Sequence, residues 1–148
     1  MLFSHDDQTL LLQPISPELF CGQYLKGDKA AFRPLRNAFN VAQTSLRKLS
    51  QNPDGNELEA LQDENLENWR VLAEQLMHVF KTSSRDIELI GWFLAAQLQL
   101  DPSASSFSLT LEWLAQLLEE HWDEINPCLP ADKLKSESEQ GKKAEQAE

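Results

Sequence analysis

The chain has 148 residues, a length that suits one domain with a hydrophobic core of its own. Apolar residues make up 41% of it and only 5 residues are glycine, so helices are favoured over a sheet rich in turns. The net charge of −11 argues against nucleic acid and anionic membranes as partners, because both repel an acidic protein. The sequence shows no signal peptide and no apolar run long enough to span a membrane, so we expect a cytoplasmic protein.

The N-terminal 27 residues are predicted to form an irregular strap laid over the core. Pro14, Pro17, Gly22 and Gly27 interrupt any continuous helix in this segment. The apolar side chains between them would still pack against the rest of the domain.

The first long helix is predicted to begin at Asp28, a good N-cap residue, and to end before the turn sequence SQNPDG at residues 50–55. Pro34 is tolerated only near the start of this helix, because a deeper proline removes a hydrogen bond and clashes with the preceding turn. Apolar residues spaced three and four apart then define one helix face. They are Leu35, Ala38, Phe39, Ala42, Leu46 and Leu49. Residues 56–67 are acidic and weakly periodic, which indicates a loop or one short helix.

Three more helices are predicted, at residues 68–81, 85–100 and 106–125. Ser83 and Ser84 are expected to cap the second of these, which is apolar on two faces and would be the most buried helix. Short connections favour antiparallel neighbours. The predicted fold class is therefore all-α, a compact bundle of four or more helices.

The last residues of the chain differ in composition from the residues before them. From residue 131 onward it is polar, charged and nearly without core residues, so residues 131–148 are predicted to be a disordered charged tail or linker. The folded domain is predicted to occupy residues 1–130.

The stretch HWDEINPCLPAD, residues 121–132, is the best candidate for a metal or acid–base site. His121 and Glu124 lie three apart and could share a helix face. A di-iron site would want a glutamate where Leu118 stands, and a zinc protease would want a histidine where Leu117 stands. The stretch is therefore predicted to be the end of a helix rather than a metal site.

Other catalytic patterns are missing from the sequence. It contains neither Gly-x-Ser-x-Gly nor a phosphate-binding loop, and Cys21 and Cys128 are too far apart for a metal motif. We predict that the protein is not an enzyme, with no catalytic, cofactor-binding or metal-binding residues.

Charge is unevenly distributed along the chain. Residues 26–48 contain six basic residues and one acid, a net charge of +5, so the remainder carries −16. Acids instead crowd the predicted end of the last helix, where the helix dipole disfavours them. Either the basic segment or a partner could compensate these acids, and the basic segment could equally be a solvated face. The apolar stripe of the last predicted helix consists of Leu111, Leu114, Leu118, Trp122 and Ile125. Trp113 falls off this stripe and is expected to be exposed, as at interfaces. The candidate partner-binding surface is Arg33, Arg36, Arg47, Lys48, Trp113, Glu120, Asp123 and Glu124.

Three segments, residues 14–28, 68–100 and 109–132, together resemble the ImpA-type N-terminal domain of bacterial type VI secretion proteins. The first segment contains a Cys-Gly pair that follows two prolines. The second contains a Trp-Arg pair and, further on, an Arg-Asp pair that precedes a helix with a tryptophan. The third contains a Trp-Asp pair close to a proline. The matching residues are Pro14, Pro17, Cys21, Gly22, Trp69, Arg70, Arg85, Asp86, Trp92, Trp122, Asp123 and Pro127.

This resemblance implies an all-helical, non-enzymatic module that docks to baseplate, tail tube, sheath or membrane-complex subunits. TssA, TagA-like and VasL-like proteins carry such a domain. A cytoplasmic location, peripheral to the inner membrane through partners, is implied as well. Longer members form rings through a C-terminal region that this sequence does not match, so self-assembly of that kind would need regions absent here. The alternative is a generic helical adaptor or regulator that binds a partner helix in a groove.

Overall fold

Helices account for most of the structure, a computed structural model that describes residues 1–127. The helices are α1 (His5–Leu10), α2 (Lys29–Ser50), α3 (Gly55–Thr82), α4 (Ile87–Leu100) and α5 (Ser105–Glu120). One 3₁₀ turn, Leu25–Gly27, precedes α2. The described residues contain no strand, only two isolated β-bridges, so the predicted all-α class is confirmed. The predicted disordered tail, residues 131–148, lies outside the described residues.

The long helices pack in chain order, α2 on α3, α3 on α4 and α4 on α5. α2 begins where the sequence predicts, because the Asp28 carboxylate accepts a hydrogen bond from the N–H of Ala31 at 3.2 Å. Pro34 lies in the second turn of α2 and is accommodated there. Side-chain hydrogen bonds, such as that from the Ser45 hydroxyl to Asn65, connect α2 to α3.

Helix α3 corrects the prediction for residues 56–67. These residues are neither a loop nor a separate short helix, because α3 runs unbroken over Gly55–Thr82. The one buried side chain of α3 before Trp69 is Asn65, which accepts from the Trp69 indole N–H of the same helix at 3.0 Å and donates to Gln99 of α4 at 3.2 Å. A polar contact of this kind leaves no apolar stripe in the sequence, so periodicity could not find the helix.

Two helix boundaries also differ from the prediction. α4 starts at Ile87 and is capped by Asp86, whose carboxylate accepts from the N–H of Glu88 at 2.8 Å, not by Ser83 or Ser84. α5 ends at Glu120, five residues before the predicted end. The chain then turns, with the N–H groups of Glu124 and Ile125 donating to the carbonyl of His121.

The strap covers the core as expected, although it is not wholly irregular. It contains α1, whose start is fixed by a reciprocal capping box between Ser4 and Asp7. Phe3 and Leu11, on either side of α1, are buried in the same cluster as the long helices. The strap is therefore part of the folding unit.

The expectation that Trp113 is exposed is wrong. Its side chain is 0% exposed, its ring centroid lies 5.2 Å from that of Phe80, and its indole N–H donates to the Leu11 carbonyl at 3.2 Å. The strap covers the face of α5 that carries Trp113, a contact that the periodicity of α5 alone could not reveal. Trp122, placed on the apolar stripe from the sequence, is instead 54% exposed because α5 ends before it.

Among residues 1–127, no helix is long and apolar enough to cross a bilayer.

Candidate protein-interaction surfaces

Three segments that are distant in the chain meet at one end of the bundle. We call this junction the motif end, and it consists of Cys21, Gly22, Arg85, Asp86 and Asn126. The Arg85 N–H donates to the Cys21 carbonyl at 2.7 Å, and the Asn126 N–H donates to the Arg85 carbonyl at 3.0 Å. Asp86 and Asn126 form a parallel bridge. The strap, the α3–α4 connection and the turn after α5 are thus joined through their backbones.

Side chains complete this junction. The Asn126 amide nitrogen donates to the Cys21 carbonyl at 3.1 Å and lies 3.2 Å from the Ser84 hydroxyl oxygen. Arg85 is buried and donates to two carbonyls, those of Phe80 at 3.2 Å and Phe20 at 3.3 Å. Its guanidinium also lies 5.1 Å from the centre of the Phe20 ring. These side-chain contacts add donors to backbone carbonyls at this junction, among them the Cys21 and Phe20 carbonyls, which also accept from backbone N–H groups.

Burial dominates the electrostatics of the motif end. It lowers the pKa of Arg85 and raises the pKa of Asp86, because each charged form loses hydration. Burial also acts to lower the pKa of Lys26, but the hydrogen bond with Glu88 and nearby acidic charges outweigh it and raise that pKa.

Asn126→Ala is expected to lower the free energy of unfolding by about 1–3 kcal/mol, because the buried Cys21 carbonyl loses one of its two donors and the buried Ser84 hydroxyl loses the Asn126 amide. Urea unfolding followed by circular dichroism measures the change. Asn40→Ala, on the exposed side of α2, is the matched control and should change stability little. Equal stability of the two variants would contradict a structural role for the Asn126 amide.

The basic residues of α2 share its outer face. Lys29, Arg33, Arg36 and Arg47 recur at helical spacing and are all exposed, and Lys48 lies beside them. We call these five residues the basic face.

Two members of the basic face have partners within the bundle. Arg36 lies 3.6 Å from Glu88, with its guanidinium 5.7 Å from the centre of the Trp92 ring. Lys48 lies 3.6 Å from Glu64. Within residues 1–127, Lys29, Arg33 and Arg47 make no ion pair, so these three members are best placed to meet a partner.

The predicted acidic residues lie together at and beyond the end of α5. Glu120, Asp123 and Glu124 are exposed, and the His121 ring nitrogen lies 2.8 Å from Glu124. The His121 ring stacks on Phe20 with centroids 3.6 Å apart. Among residues 1–127, no three His, Cys, Asp or Glu side chains are placed to hold a metal ion.

Sequence reasoning assigned the exposed tryptophan to the wrong position. Trp113 is inside the core, so it cannot contact a partner while the bundle is folded, whereas Trp122 projects beside the acidic residues. Pro127, immediately after the turn, was a sequence signal that the helix had to stop nearby.

Two depressions lie between α2 and α3. One has a volume of about 400 Å³ and is lined by Pro34, Leu35, Glu74, Gln75, His78 and Val79. The other has a volume of about 240 Å³ and is lined by Asn40, Val41, Thr44, Ser45, Lys48 and Glu64. Both are surface grooves between helices.

The fold and these surfaces define the chain as an all-helical bundle domain with a buried polar junction at one end and charged outer faces. A family model described as ImpA, N-terminal, type VI secretion system, matches residues 12–144. The chain therefore belongs to the ImpA N-terminal family and is a type VI secretion system component. No curated protein and no solved structure gave a significant match.

The structure shows where the residues that carry the family resemblance lie. Cys21, Gly22, Arg85 and Asp86 form the motif end together with Asn126, whereas Trp69 and Trp92 are buried in the core. These six residues of the resemblance help to assemble the bundle. Trp122 and Asp123, which also belong to it, are instead exposed beyond the end of α5.

Proposed function

We propose that the chain is a non-enzymatic protein-interaction module of a TssA-like component. It docks to a baseplate, tail tube, sheath or membrane-complex subunit of the secretion system, on the cytoplasmic side and peripheral to the inner membrane through that partner. Family membership supports the setting. The single observation that supports docking is the basic face, an exposed cationic strip on a molecule with a net charge of −11.

The basic face is suited to an acidic protein surface. Arg33 and Arg47 are fourteen residues apart on one side of α2, which corresponds to about 21 Å along the helix axis. Charges distributed over such a length orient a partner and speed its association more than they deepen affinity. An acidic subunit surface of similar length is the complementary partner.

Reversing charge at the far end of the basic face, with Arg47→Glu and Lys48→Glu together, is expected to raise the dissociation constant for a secretion subunit at least about tenfold. Both side chains are exposed, so the fold should survive. Binding by purified candidate subunits, measured by biolayer interferometry, tests this expectation. The matched control is Arg47→Lys with Lys48→Arg, which keeps both charges and should keep binding.

The cellular experiment deletes the coding region for this domain from the native gene and scores sheath assembly and secretion. Loss of both supports the proposal. Unchanged assembly, together with subunit binding that tolerates the charge reversal, would refute it and leave the basic face as solvated surface.

A second candidate is a helical adaptor that binds a partner helix in a groove. The larger groove between α2 and α3 favours it, because Pro34, Leu35 and Val79 give that groove an apolar lining. Pulldown from the source organism separates the candidates. Secretion subunits among the captured proteins support the first, and unrelated partners support the second.

A further inference from the structure

The solvent-facing side of α4 is apolar along its length. Ile87, Gly91, Leu94 and Leu98 follow one another at spacings of four, three and four residues, which places them in one row on the helix. Ile87 is 41% exposed and Leu98 is 52% exposed, while Gly91 is exposed and Leu94 is half-buried. We call these four residues the outer row.

The outer row carries no charge. No charged residue occurs from Leu89 to Leu100, and Glu88, at the start of α4, is paired with Lys26 and Arg36. Single exposed apolar side chains are common on soluble proteins, whereas a row of them on an uncharged helix indicates a contact surface. Other sides of α4 pack on α3 and α5. The outer row is therefore the side of α4 that is open to one more segment.

The last described residue, Pro127, lies next to the start of the outer row. The Ile87 N–H donates to the Asn126 carbonyl at 2.8 Å, and the Asn126 N–H donates to the Arg85 carbonyl at 3.0 Å. These two bonds form the parallel bridge between Asp86 and Asn126, so the two segments run in the same direction there. The chain that follows Pro127 consequently starts beside Ile87.

The residues that follow Pro127 have the composition and the length to cover the row. Residues 128–134, CLPADKL, contain Leu129, Pro130 and Leu134, whereas residues 135–148 contain no large apolar side chain. Seven extended residues reach about 23 Å, and the helix rises only about 17 Å from Ile87 to Leu98. Both leucines can therefore reach the outer row from Pro127.

The family match gives independent support for including this segment in the domain. The match runs to residue 144, seventeen residues beyond Pro127. Residues 128–134 thus fall within the part of the chain that the family model recognises. A segment that only connected the bundle to something else would not need to share the family pattern.

We propose that residues 128–134 lie along the outer row of α4 in the same chain, with Leu129 and Leu134 against its apolar side chains. Contact between the leucines and the row removes apolar surface of both from water. The short connection through Pro127 keeps the segment at a high effective concentration beside the row, so no second molecule is needed. Asp132 and Lys133 stay hydrated. This inference goes beyond the proposed function and does not depend on any secretion subunit.

Methyl NOE spectroscopy of the purified full chain tests the contact directly. We expect cross-peaks that join methyl groups of Leu129 or Leu134 to those of Ile87, Leu94 or Leu98. Their relative intensity should stay constant on dilution by about tenfold, because the contact lies within one chain. Cross-peaks that fade on dilution would assign the row to a second copy and overturn the proposal, and so would the lack of any such cross-peak.

Limited trypsin digestion of the full chain measures how firmly the segment is held. Lys133 lies within the segment and Lys142 lies beyond it, so each chain contains its own reference site. A docked segment is cut after it opens, so its cleavage rate follows the population of the open form. Leu98→Glu places a charge in the row, and Leu129→Ser removes one leucine from the segment. Each is expected to speed cleavage after Lys133 at least about fivefold and to leave cleavage after Lys142 unchanged.

Val41→Glu is the matched control for Leu98→Glu, because it places the same charge on an exposed apolar side chain of α2. It should leave cleavage after Lys133 as it is in the unmodified chain. Circular dichroism checks that the variants keep their helices, and Leu129→Ser tests the contact without altering α4. Equal cleavage after Lys133 in Leu129→Ser and in the unmodified chain would overturn the proposal and leave the outer row for another protein.

Discussion

Trp113→Ala is expected to lower the free energy of unfolding by about 3–5 kcal/mol, the usual cost of removing a large buried aromatic side chain. The ring fills space between α5, the strap and α3, with its centroid 5.8 Å from that of Phe3 and 5.2 Å from that of Phe80. Its removal also leaves the buried Leu11 carbonyl without the indole N–H. Chemical denaturation at neutral pH gives the value.

Trp122→Ala is the matched control, since it removes the same ring from an exposed position. It should change the free energy of unfolding by no more than about 0.5 kcal/mol. The two tryptophans also differ in fluorescence, because the buried ring should emit at shorter wavelength than the hydrated one. Similar destabilisation by both substitutions would mean that the burial assigned to these two residues is wrong.

Gly22→Ala is the second change expected to have a large effect. Gly22 has φ of +75°, where a side chain is strained, and an added Cβ would lie 2.2 Å from the carbonyl oxygen of Ser83. That oxygen belongs to the backbone and accepts a hydrogen bond from the Gln23 N–H, so it cannot move aside cheaply. We expect a loss of about 2–4 kcal/mol from strain and overpacking together, measured by thermal and urea unfolding.

Gly91→Ala makes the same chemical change where the structure has room. Gly91 lies within α4 and is exposed, and nothing described lies within 4 Å of an added Cβ. Alanine there should stabilise the domain by about 0.4–1 kcal/mol, because it restricts the unfolded chain and favours helix. Opposite signs for the two substitutions are the expected result, and a stabilising Gly22→Ala would contradict the close packing of the motif end.

Local sequence signals predicted much of the fold. Apolar spacing and the capping residue Asp28 located α2, and similar patterns located α4 and most of α5. The same signals failed for the first half of α3, where buried Asn65 makes polar contacts that leave no apolar stripe. A helical segment whose one buried side chain is an amide lacks the apolar periodicity by which a helix is recognised in a sequence.

Contacts between distant parts of the chain explain the remaining errors. Trp113 is buried by Leu11 and Phe3, about a hundred residues earlier, and no pattern within α5 encodes that cover. The charged residues of both candidate surfaces could be located in the sequence, because they cluster along the chain. The motif end was not, because its hydrogen bonds join Asn126 to residues 42 and 105 positions away.

The contacts of the strap also show at which residue the folded domain starts. The family match begins at residue 12, yet the Phe3 N–H donates to buried Gln97 at 3.0 Å and Leu11 accepts from Trp113. A shortened protein that began at residue 12 would lack both contacts and would expose part of the hydrophobic core to water. Expression of this domain should therefore retain its initial eleven amino acids, and a fusion partner is better placed behind a spacer than directly against Met1.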